Sequence, residues 1–301
     1  MYRIGNALGD QVCLTTLLPA LRAYQRGRIV VITNHGEIFF NNPHIWKLID
    51  LKRSQIVQRW VGKLLGRLRG DRILNFLFEN PNRTFEDYIR NPIRGIPIAQ
   101  VYSLHFPFPL DLRGCSPEVF LTSEEREHYA KKFTLLPERF AVIQSQGKTS
   151  YTPNKEWDVE EFQKVVNRFS KIPWVQLGLH SDARLNGVVD LRGQTKTFRE
   201  LAFVIERADF VFCLEGLFSH LAAAVGTPSI VLFSGFHAQE MLLYRTTIPV
   251  SRVPQVSCAP CGLTTPCPVP GKPCTGDIHA DDVICKLELA LRRHSTDHRA
   301  H

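Results

Sequence analysis

A strand meets a helix at Phe210-Val211-Phe212-Cys213-Leu214-Glu215-Gly216-Leu217. The apolar run at its start is typical of a strand that is covered on both faces, as in a parallel sheet. Gly216 ends the strand and opens a helical pattern that continues through His220. Because parallel strands are joined by crossover connections, usually helices, this junction predicts one βαβ unit of an α/β domain.

The same alternation of apolar runs and helical patterns extends along both halves of the chain. Further strands are predicted at 28–33, 72–78, 140–143, 174–177 and 230–233. A helix is predicted over 11–24, and two capping-box spacings, Asp158 with Glu161 and Thr197 with Glu200, predict helix starts in the second half. The pattern predicts two doubly wound parallel sheets.

Leu135-Leu136-Pro137-Glu138 lies between the two sets of elements and predicts a hinge. We therefore expect one domain over 1–136, a second over 137–280, and a C-terminal helix and tail over 281–301. Two doubly wound domains place a ligand cleft outside the carboxyl ends of their strands.

Length and composition exclude several classes of protein. The chain has 301 residues, 44% hydrophobic and 22% charged, which argues against a disordered, collagen-like or coiled-coil protein. No stretch reaches the roughly 18 unbroken apolar residues of a membrane-spanning helix. The first residues lack the apolar core of a signal peptide. We expect a soluble, cytoplasmic protein.

The charge balance predicts an anionic partner, because 37 basic and 29 acidic residues give a net charge of +8. The excess is greatest between Leu51 and Arg72, where Arg59, Lys63 and Arg67 share one face of an amphipathic helix. This face is either solvated or in contact with an anionic acceptor or the inner membrane surface. No nucleic-acid-binding motif accompanies the charge, so no nucleic acid is expected as a partner.

Signatures of three nucleotide-binding classes are absent. Gly147-Lys148-Thr149 imitates the end of a P-loop, but Val142 stands where its first glycine is required. No G-x-G-x-x-G follows a strand, which disfavours a dinucleotide oxidoreductase. No Asp-x-Asp occurs, so a nucleotide-sugar site would have to neutralise its phosphates with protein groups alone.

Two strand–helix junctions carry candidate chemistry. At one of them, backbone N–H groups at the helix start after Gly216 would bind an anion, Glu215 would accept hydroxyl hydrogen bonds, and His220 would face the same cleft. At the other, Gly5 to Asp10 leads into a helix, where Asp10 is either a capping carboxylate or a general base for an acceptor hydroxyl. The first site is alternatively an ordinary strand–helix junction.

Four cysteines lie close together in the sequence and suggest a metal site. They are Cys258, Cys261, Cys267 and Cys274, with the spacing C-x2-C-x5-C-x6-C. Clustered thiolates suit zinc or iron. Free or structural thiols are the alternative, and disulfides are less expected in an intracellular chain.

The segments that carry these features, taken together, resemble the heptosyltransferase family, glycosyltransferase family 9. The resemblance rests on Ile4–Asp10, Lys155–Trp157, Leu191–Thr195, and Glu215–Pro228, in that order, with the cysteine loop before the final helix. It implies a GT-B fold, in which two Rossmann-like domains face a central cleft, with the acceptor on the N-terminal domain and the nucleotide-sugar donor on the C-terminal domain. Heptose enzymes usually carry Asp-x-Gly where this chain has Glu215-Gly216.

The resemblance also implies an activity and a set of site residues. Family members transfer a sugar with inversion, typically heptose from ADP-heptose to a lipopolysaccharide core, and need no cofactor or metal at the reaction centre. By position, Asp10 matches the catalytic base and Lys155 matches the phosphate-binding lysine. Glu215, Gly216 and His220 match the donor-binding block. The expected partners are a nucleotide sugar and an anionic glycan or glycolipid.

Two other functions remain open on the same scaffold. A nucleotide-sugar epimerase would convert its donor without an acceptor. A non-catalytic nucleotide-sugar-binding protein would be indifferent to loss of Asp10.

Overall fold

The computed structural model describes residues 2–4, 7–24, 28–51, 60, 75–77, 110–112, 115–253 and 255–297. The predicted basic face of Arg59, Lys63 and Arg67 lies outside these residues, as does Gly5. Within the described ranges, no helix combines the length and the apolar character that a membrane crossing requires.

The first sheet is parallel, with strand order β3-β2-β1-β4. Its elements are β1 (Tyr2–Ile4), α1 (Leu8–Thr15), α2 (Leu17–Tyr24), β2 (Val30–Thr33), a 3₁₀ turn (Gly36–Ile38), β3 (Lys47–Asp50) and β4 (Asn75–Leu77). The prediction of one helix over 11–24 is wrong, because the helix is interrupted at Thr16. Pro19 has no N–H to donate to Thr15, so one helix cannot keep its hydrogen bonds through this point.

The second sheet is also parallel, with strand order β10-β9-β8-β5-β6-β7. Its strands are β5 (Ala141–Gln144), β6 (Trp174–Gln176), β7 (Val189–Asp190), β8 (Phe210–Leu214), β9 (Ser229–Phe233) and β10 (Thr247–Ser251). The order reverses between β5 and β8, as in a dinucleotide-binding Rossmann sheet, and ligands bind outside the carboxyl ends of strands at such a switch point. The prediction of two doubly wound α/β units is confirmed.

The helices around the second sheet are α3 (Ser123–Lys132), α4 (Val159–Arg168), α5 (Phe198–Arg207), α6 (Leu217–Val225), α7 (Pro273–Gly276) and α8 (Ala280–Asp297). Two 3₁₀ turns lie at Pro153–Lys155 and Gln239–Met241. Helix α8 packs on α4 and β10, and buries Val283 and Leu287 in the same apolar cluster as Phe162.

Two predicted capping boxes form only in part. Asp158 accepts a hydrogen bond from the Glu160 N–H at 2.9 Å, and Thr197 accepts one from the Glu200 N–H at 3.1 Å, so both helix starts are confirmed. The carboxylates that should complete the boxes are used elsewhere.

Other partners of the two carboxylates explain this difference. Glu161 accepts a hydrogen bond from the Ala280 N–H at 2.6 Å. Glu200 pairs with Lys132 Nζ at 2.7 Å and accepts a hydrogen bond from the neighbouring Lys196 N–H at 2.7 Å. The complete capping box of the described chain is at Thr122 and Glu125, which the sequence pattern had not identified.

The two sheets share one apolar core through helices α1 and α6. Val12 and Leu14 of α1 are fully buried in the same cluster as Leu221 and Ala222 of α6. Both helices begin just after the carboxyl end of a strand, so their packing brings the two strand–helix junctions together.

Arg199 of α5 forms a second link between the two units. Its guanidinium is 4% exposed and makes two hydrogen bonds with the Glu125 carboxylate. It also donates to the backbone oxygen of Phe120 at 2.6 Å and to that of Glu37, in the first unit, at 3.3 Å. A planar guanidinium with several fixed donors can satisfy all these acceptors at once.

We predict that Arg199→Met lowers the free energy of unfolding by about 3 kcal/mol, because it leaves buried acceptors and the Glu125 carboxylate without their donor. Urea unfolding measures this loss. Arg126→Met is the matched control, since Arg126 makes a similar two-bond pair with Glu206 but is 45% exposed. The control should lose less than about 1 kcal/mol. Equal losses in the two variants would contradict the assigned role of Arg199.

Candidate functional site

The junction between β8 and α6 is built around Gly216. Its φ of 148° lies in a region that disfavours side chains, so glycine is required there. The Gly216 N–H donates to Ser219 Oγ at 3.2 Å, and that hydroxyl donates back to the Gly216 carbonyl at 2.8 Å. The N–H of Gly216 is therefore engaged within the protein, and the predicted anion site would have to use the N–H groups that follow it.

Glu215 is a buried charge at the end of β8. One carboxylate oxygen accepts a hydrogen bond from Ser234 Oγ at 2.5 Å. The other has no hydrogen-bond partner among the described residues and lies 3.8 Å from His237 Nδ1. Burial alone would raise the pKa of Glu215, but the positive charge of Lys155 and nearby hydrogen-bond donors lower the pKa to about 2. The side chain is a buried anion.

Lys155 supplies much of the compensating charge. It ends the 3₁₀ turn Pro153–Lys155, and its Nζ lies 3.3 Å from His237 Nδ1 and 4.7 Å from the centroid of the Phe236 ring. A cation over an aromatic face in a buried setting is stabilised by the ring quadrupole. Lys155 therefore faces the loop that follows β9.

The turn that carries Lys155 is fastened to the cysteine loop. Thr152 and Asn154 both donate to the Leu263 carbonyl at 2.8 Å, and Asn154 also donates to Thr265 at 2.8 Å. The Cys267 N–H donates to Asn154 Oδ1 at 2.9 Å. These bonds satisfy all polar groups of a buried amide and hold the turn beside β5.

His220 is buried in α6 and held by Tyr244. The Tyr244 hydroxyl lies 2.7 Å from His220 Nδ1 and 3.4 Å from Cys13 Sγ of helix α1. Burial lowers the pKa of His220 to about 3, and the positive charge of Lys155 acts in the same direction. His220 is therefore neutral at physiological pH, and Tyr244 connects it to helix α1.

Asp10 lies in the first turn of α1, directly after a glycine that approaches α6. A Cβ on Gly9 would stand 3.1 Å from the His220 ring and 3.5 Å from the Leu217 N. A residue without a side chain makes this close approach without displacing the His220 ring. The structure thus brings the start of α1, with Asp10, against the start of α6, and groups Lys155, Glu215 and His220 nearby.

The cysteine loop does not form a ready-made metal site. Each of the eight cysteines lies in the described part of the chain, and none forms a disulfide. Among the residues that the structure describes, no three or more His, Cys, Asp or Glu side chains are arranged to hold a metal ion. Burial, together with the nearby Cys261, Cys267 and Cys258, raises the pKa of Cys274 to about 11, although Lys272 acts in the opposite direction. Metal binding here stays a prediction.

Sequence reasoning missed three residues of this site: Ser234, His237 and Tyr244. Ser234 and His237 follow the predicted strand at 230–233, so their place at the carboxyl edge of the sheet was a usable signal. Tyr244 follows a 3₁₀ turn and gave no such signal.

The family model for glycosyltransferase family 9 (heptosyltransferase) matches residues 97–268, more than half of the chain. This chain therefore belongs to that family, and it is a glycosyltransferase. No curated protein matches its sequence.

Solved structures share the fold over nearly the whole chain. The E. coli ADP-heptose lipopolysaccharide heptosyltransferase II is 16% identical, with a TM-score of 0.65 over 98% of this chain and 99% of its own. A family 9 glycosyltransferase from Veillonella parvula is 16% identical, with a TM-score of 0.70 over 97% and 96%. The iron-containing dodecameric glycosyltransferase TibC from E. coli is 14% identical, with a TM-score of 0.69 over 97% and 77%. The GT-B prediction is confirmed.

We predict that His220 makes folding sensitive to acid. In the unfolded chain a histidine takes up a proton near pH 6.5, whereas folded His220 stays neutral to about pH 3. Unfolding therefore binds a proton in this window, and stability falls as pH falls, by up to about 1.4 kcal/mol per pH unit. His220→Asn, which keeps a polar partner for Tyr244, should show a shallower fall in urea unfolding between pH 6.5 and 4. Identical slopes would contradict the neutral, buried state of His220.

Proposed function

We propose that this chain is an inverting glycosyltransferase that moves a sugar, heptose from ADP-heptose, onto a hydroxyl of a lipopolysaccharide core or related glycan. In this proposal residues 1–136 bind the acceptor and residues 137–280 bind the donor. The observation that carries it is the cluster of half-buried Lys155 with buried Glu215 and His237 at the strand switch point, with the start of α1 packed against α6 beside it.

The donor diphosphate would be bound by protein charge. Lys155 and the N–H groups at the start of α6 are placed to meet developing negative charge on the leaving group, where fixed donors contribute most to catalysis. Glu215 would contribute to the donor site indirectly, because its fully buried carboxylate holds the positive charge of Lys155 and the ring of His237 at this place. TibC has been solved with ADP-D-β-D-heptose, which supports this choice of donor.

Asp10 would act as the general base. Its carboxylate would take the proton of the acceptor hydroxyl as that oxygen attacks the anomeric carbon from the face opposite the diphosphate. The bond to the diphosphate breaks as the new glycosidic bond forms, so the configuration inverts. Glu215 is poorly suited to this role because it is buried and its charge is already compensated.

The acceptor proposal rests on charge. A net charge of +8 favours an anionic glycan or glycolipid, and a glycolipid acceptor would bring the protein to the cytoplasmic face of the inner membrane. No nucleic acid is expected as a partner.

The first prediction concerns the donor. In calorimetry, ADP should bind in preference to UDP, GDP and NAD, and Lys155→Ala should weaken ADP binding by roughly tenfold or more, because the buried phosphate loses a charged donor. Lys171→Ala is the control, since Lys171 is exposed and precedes β6, at the amino ends of the strands and away from their carboxyl ends. Preference for UDP or GDP would show that the donor is a different nucleotide sugar. If none of the four nucleotides binds, the proposed donor site is contradicted.

The second prediction concerns the base. Asp10→Asn should lower the rate of sugar transfer by about 10²–10⁴-fold while ADP binding stays unchanged. Transfer assays and calorimetry on the same preparations separate these effects. Unchanged transfer would reject Asp10 as base, and isomerised donor without acceptor would favour an epimerase.

The third prediction concerns the cysteine loop, where we propose a structural zinc or iron held by Cys258, Cys261, Cys267 and Cys274. Thiolates at this spacing suit such a metal, but it takes no part in the proposed reaction. Elemental analysis of protein purified without added metal should find about one ion per chain. The Cys258→Ser, Cys261→Ser double variant should lose it. No metal in the native protein would reject this site.

A further inference from the structure

His237 Nδ1 lies between two opposite charges at the carboxyl edge of the second sheet. Lys155 Nζ is 3.3 Å from this nitrogen on one side, and a Glu215 oxygen without a hydrogen bond among the described residues is 3.8 Å from it on the other. The histidine is buried, and the loop before it is held by the Ser234 hydroxyl, which accepts from the Phe236 N–H at 3.2 Å.

One ring nitrogen cannot serve both neighbours in the same protonation state. Neutral Nδ1 accepts a hydrogen bond from the Lys155 ammonium and leaves the Glu215 oxygen without a donor. Protonated Nδ1 donates toward Glu215 and repels the ammonium. The geometry therefore defines two alternative arrangements of the same three side chains.

We propose, on the basis of the function proposed above, that His237 is a positioning residue whose protonation releases Lys155 from Nδ1 to the donor diphosphate. In the protein without donor, neutral His237 holds Lys155. When the diphosphate binds, Lys155 moves onto its oxygens, and a proton from solvent binds His237 and pairs with Glu215. Binding of the donor nucleotide is thereby coupled to uptake of one proton.

The charges that face His237 are consistent with this coupling. Burial is the largest cause that lowers the pKa of His237, and the charge of Lys155 lowers it further, whereas Glu215 raises it. His220 of α6 also faces this group but stays neutral. Adding an anion and withdrawing Lys155 both raise the pKa of His237, so a neutral histidine becomes protonated at constant pH.

The coupling predicts a pH dependence with a definite sign. Since the bound state holds one more proton, ADP affinity weakens as pH rises, by at most about tenfold per pH unit between the pKa values of His237 in the free and bound states. The same proton appears in calorimetry as a dependence of the binding enthalpy on the ionisation enthalpy of the buffer.

The experiment compares ADP binding to the wild type, His237→Asn and His128→Asn across pH 6.5 to 9 in two buffers. Asparagine places a polar atom near the position of Nδ1 but does not titrate, and His128 is exposed on α3. We expect the wild type and His128→Asn to take up more protons on binding ADP than His237→Asn does. The titration of ADP itself is the same in all three and cancels in this difference. Equal uptake by all three proteins would overturn the proposal.

A second measurement needs no nucleotide. Imidazole ¹⁵N NMR of the free protein, with His237 assigned by its loss in His237→Asn, should show the neutral tautomer with a proton on Nε2 at pH 7. Lys155→Met should raise the pKa of His237. If ADP does not bind but the pKa of His237 rises, the proposed donor nucleotide is wrong, whereas the proposed competition of Lys155 and Glu215 for His237 Nδ1 is supported. If the pKa of His237 does not move, the proposal is rejected.

Discussion

Burial of the Glu215 carboxylate determines which side chains can lie around the end of β8. A carboxylate without exposed surface is tolerated only when nearby charges and donors replace water, because an uncompensated buried ion costs several kcal/mol. Two segments far apart in sequence therefore converge on the end of β8. They are the turn of Lys155 and the loop of Ser234 and His237 after β9. The next residue after Glu215 is Gly216, whose backbone conformation disfavours side chains. A cation and a titratable ring are thus held at the strand switch point.

The contact between α1 and α6 adds the second half of the site. Each helix starts where its strand ends, and their packed apolar faces require the two starts to meet. Gly9 makes this approach possible, and the next residue is Asp10. The proposed base and the proposed donor site are thereby brought together by core packing and not by a flexible loop, which suits a reaction that depends on fixed geometry. Arg199, on the helix α5 that packs against α6, adds polar contacts to the same arrangement.

Local patterns were sufficient for much of the fold. Buried parallel strands are apolar runs in the sequence, so this pattern predicts β8 and the sheet around it. The capping side chains of Asp158 and Thr197 predict the starts of two helices. The patterns failed where distant residues compete for a local group. Glu161 and Glu200 have capping spacing, yet the Ala280 N–H and the Lys132 ammonium bind their carboxylates.

The candidate site was predicted in part for the same reason. Lys155, Glu215 and His220 were found because they lie in segments with a recognisable order. His237 and Tyr244 act only through neighbours that the fold supplies, so their roles depend on distances between segments that a single sequence does not contain. The break at Thr16 was in principle readable, since Pro19 marks it.

The most direct test of the central claim is a crystal structure of the protein with bound ADP. The account predicts that a diphosphate oxygen lies within hydrogen-bond distance of Lys155 Nζ, outside the carboxyl ends of β5 and β8, and that Lys155 has left His237 Nδ1. A diphosphate bound elsewhere, with Lys155 still on His237, would contradict it.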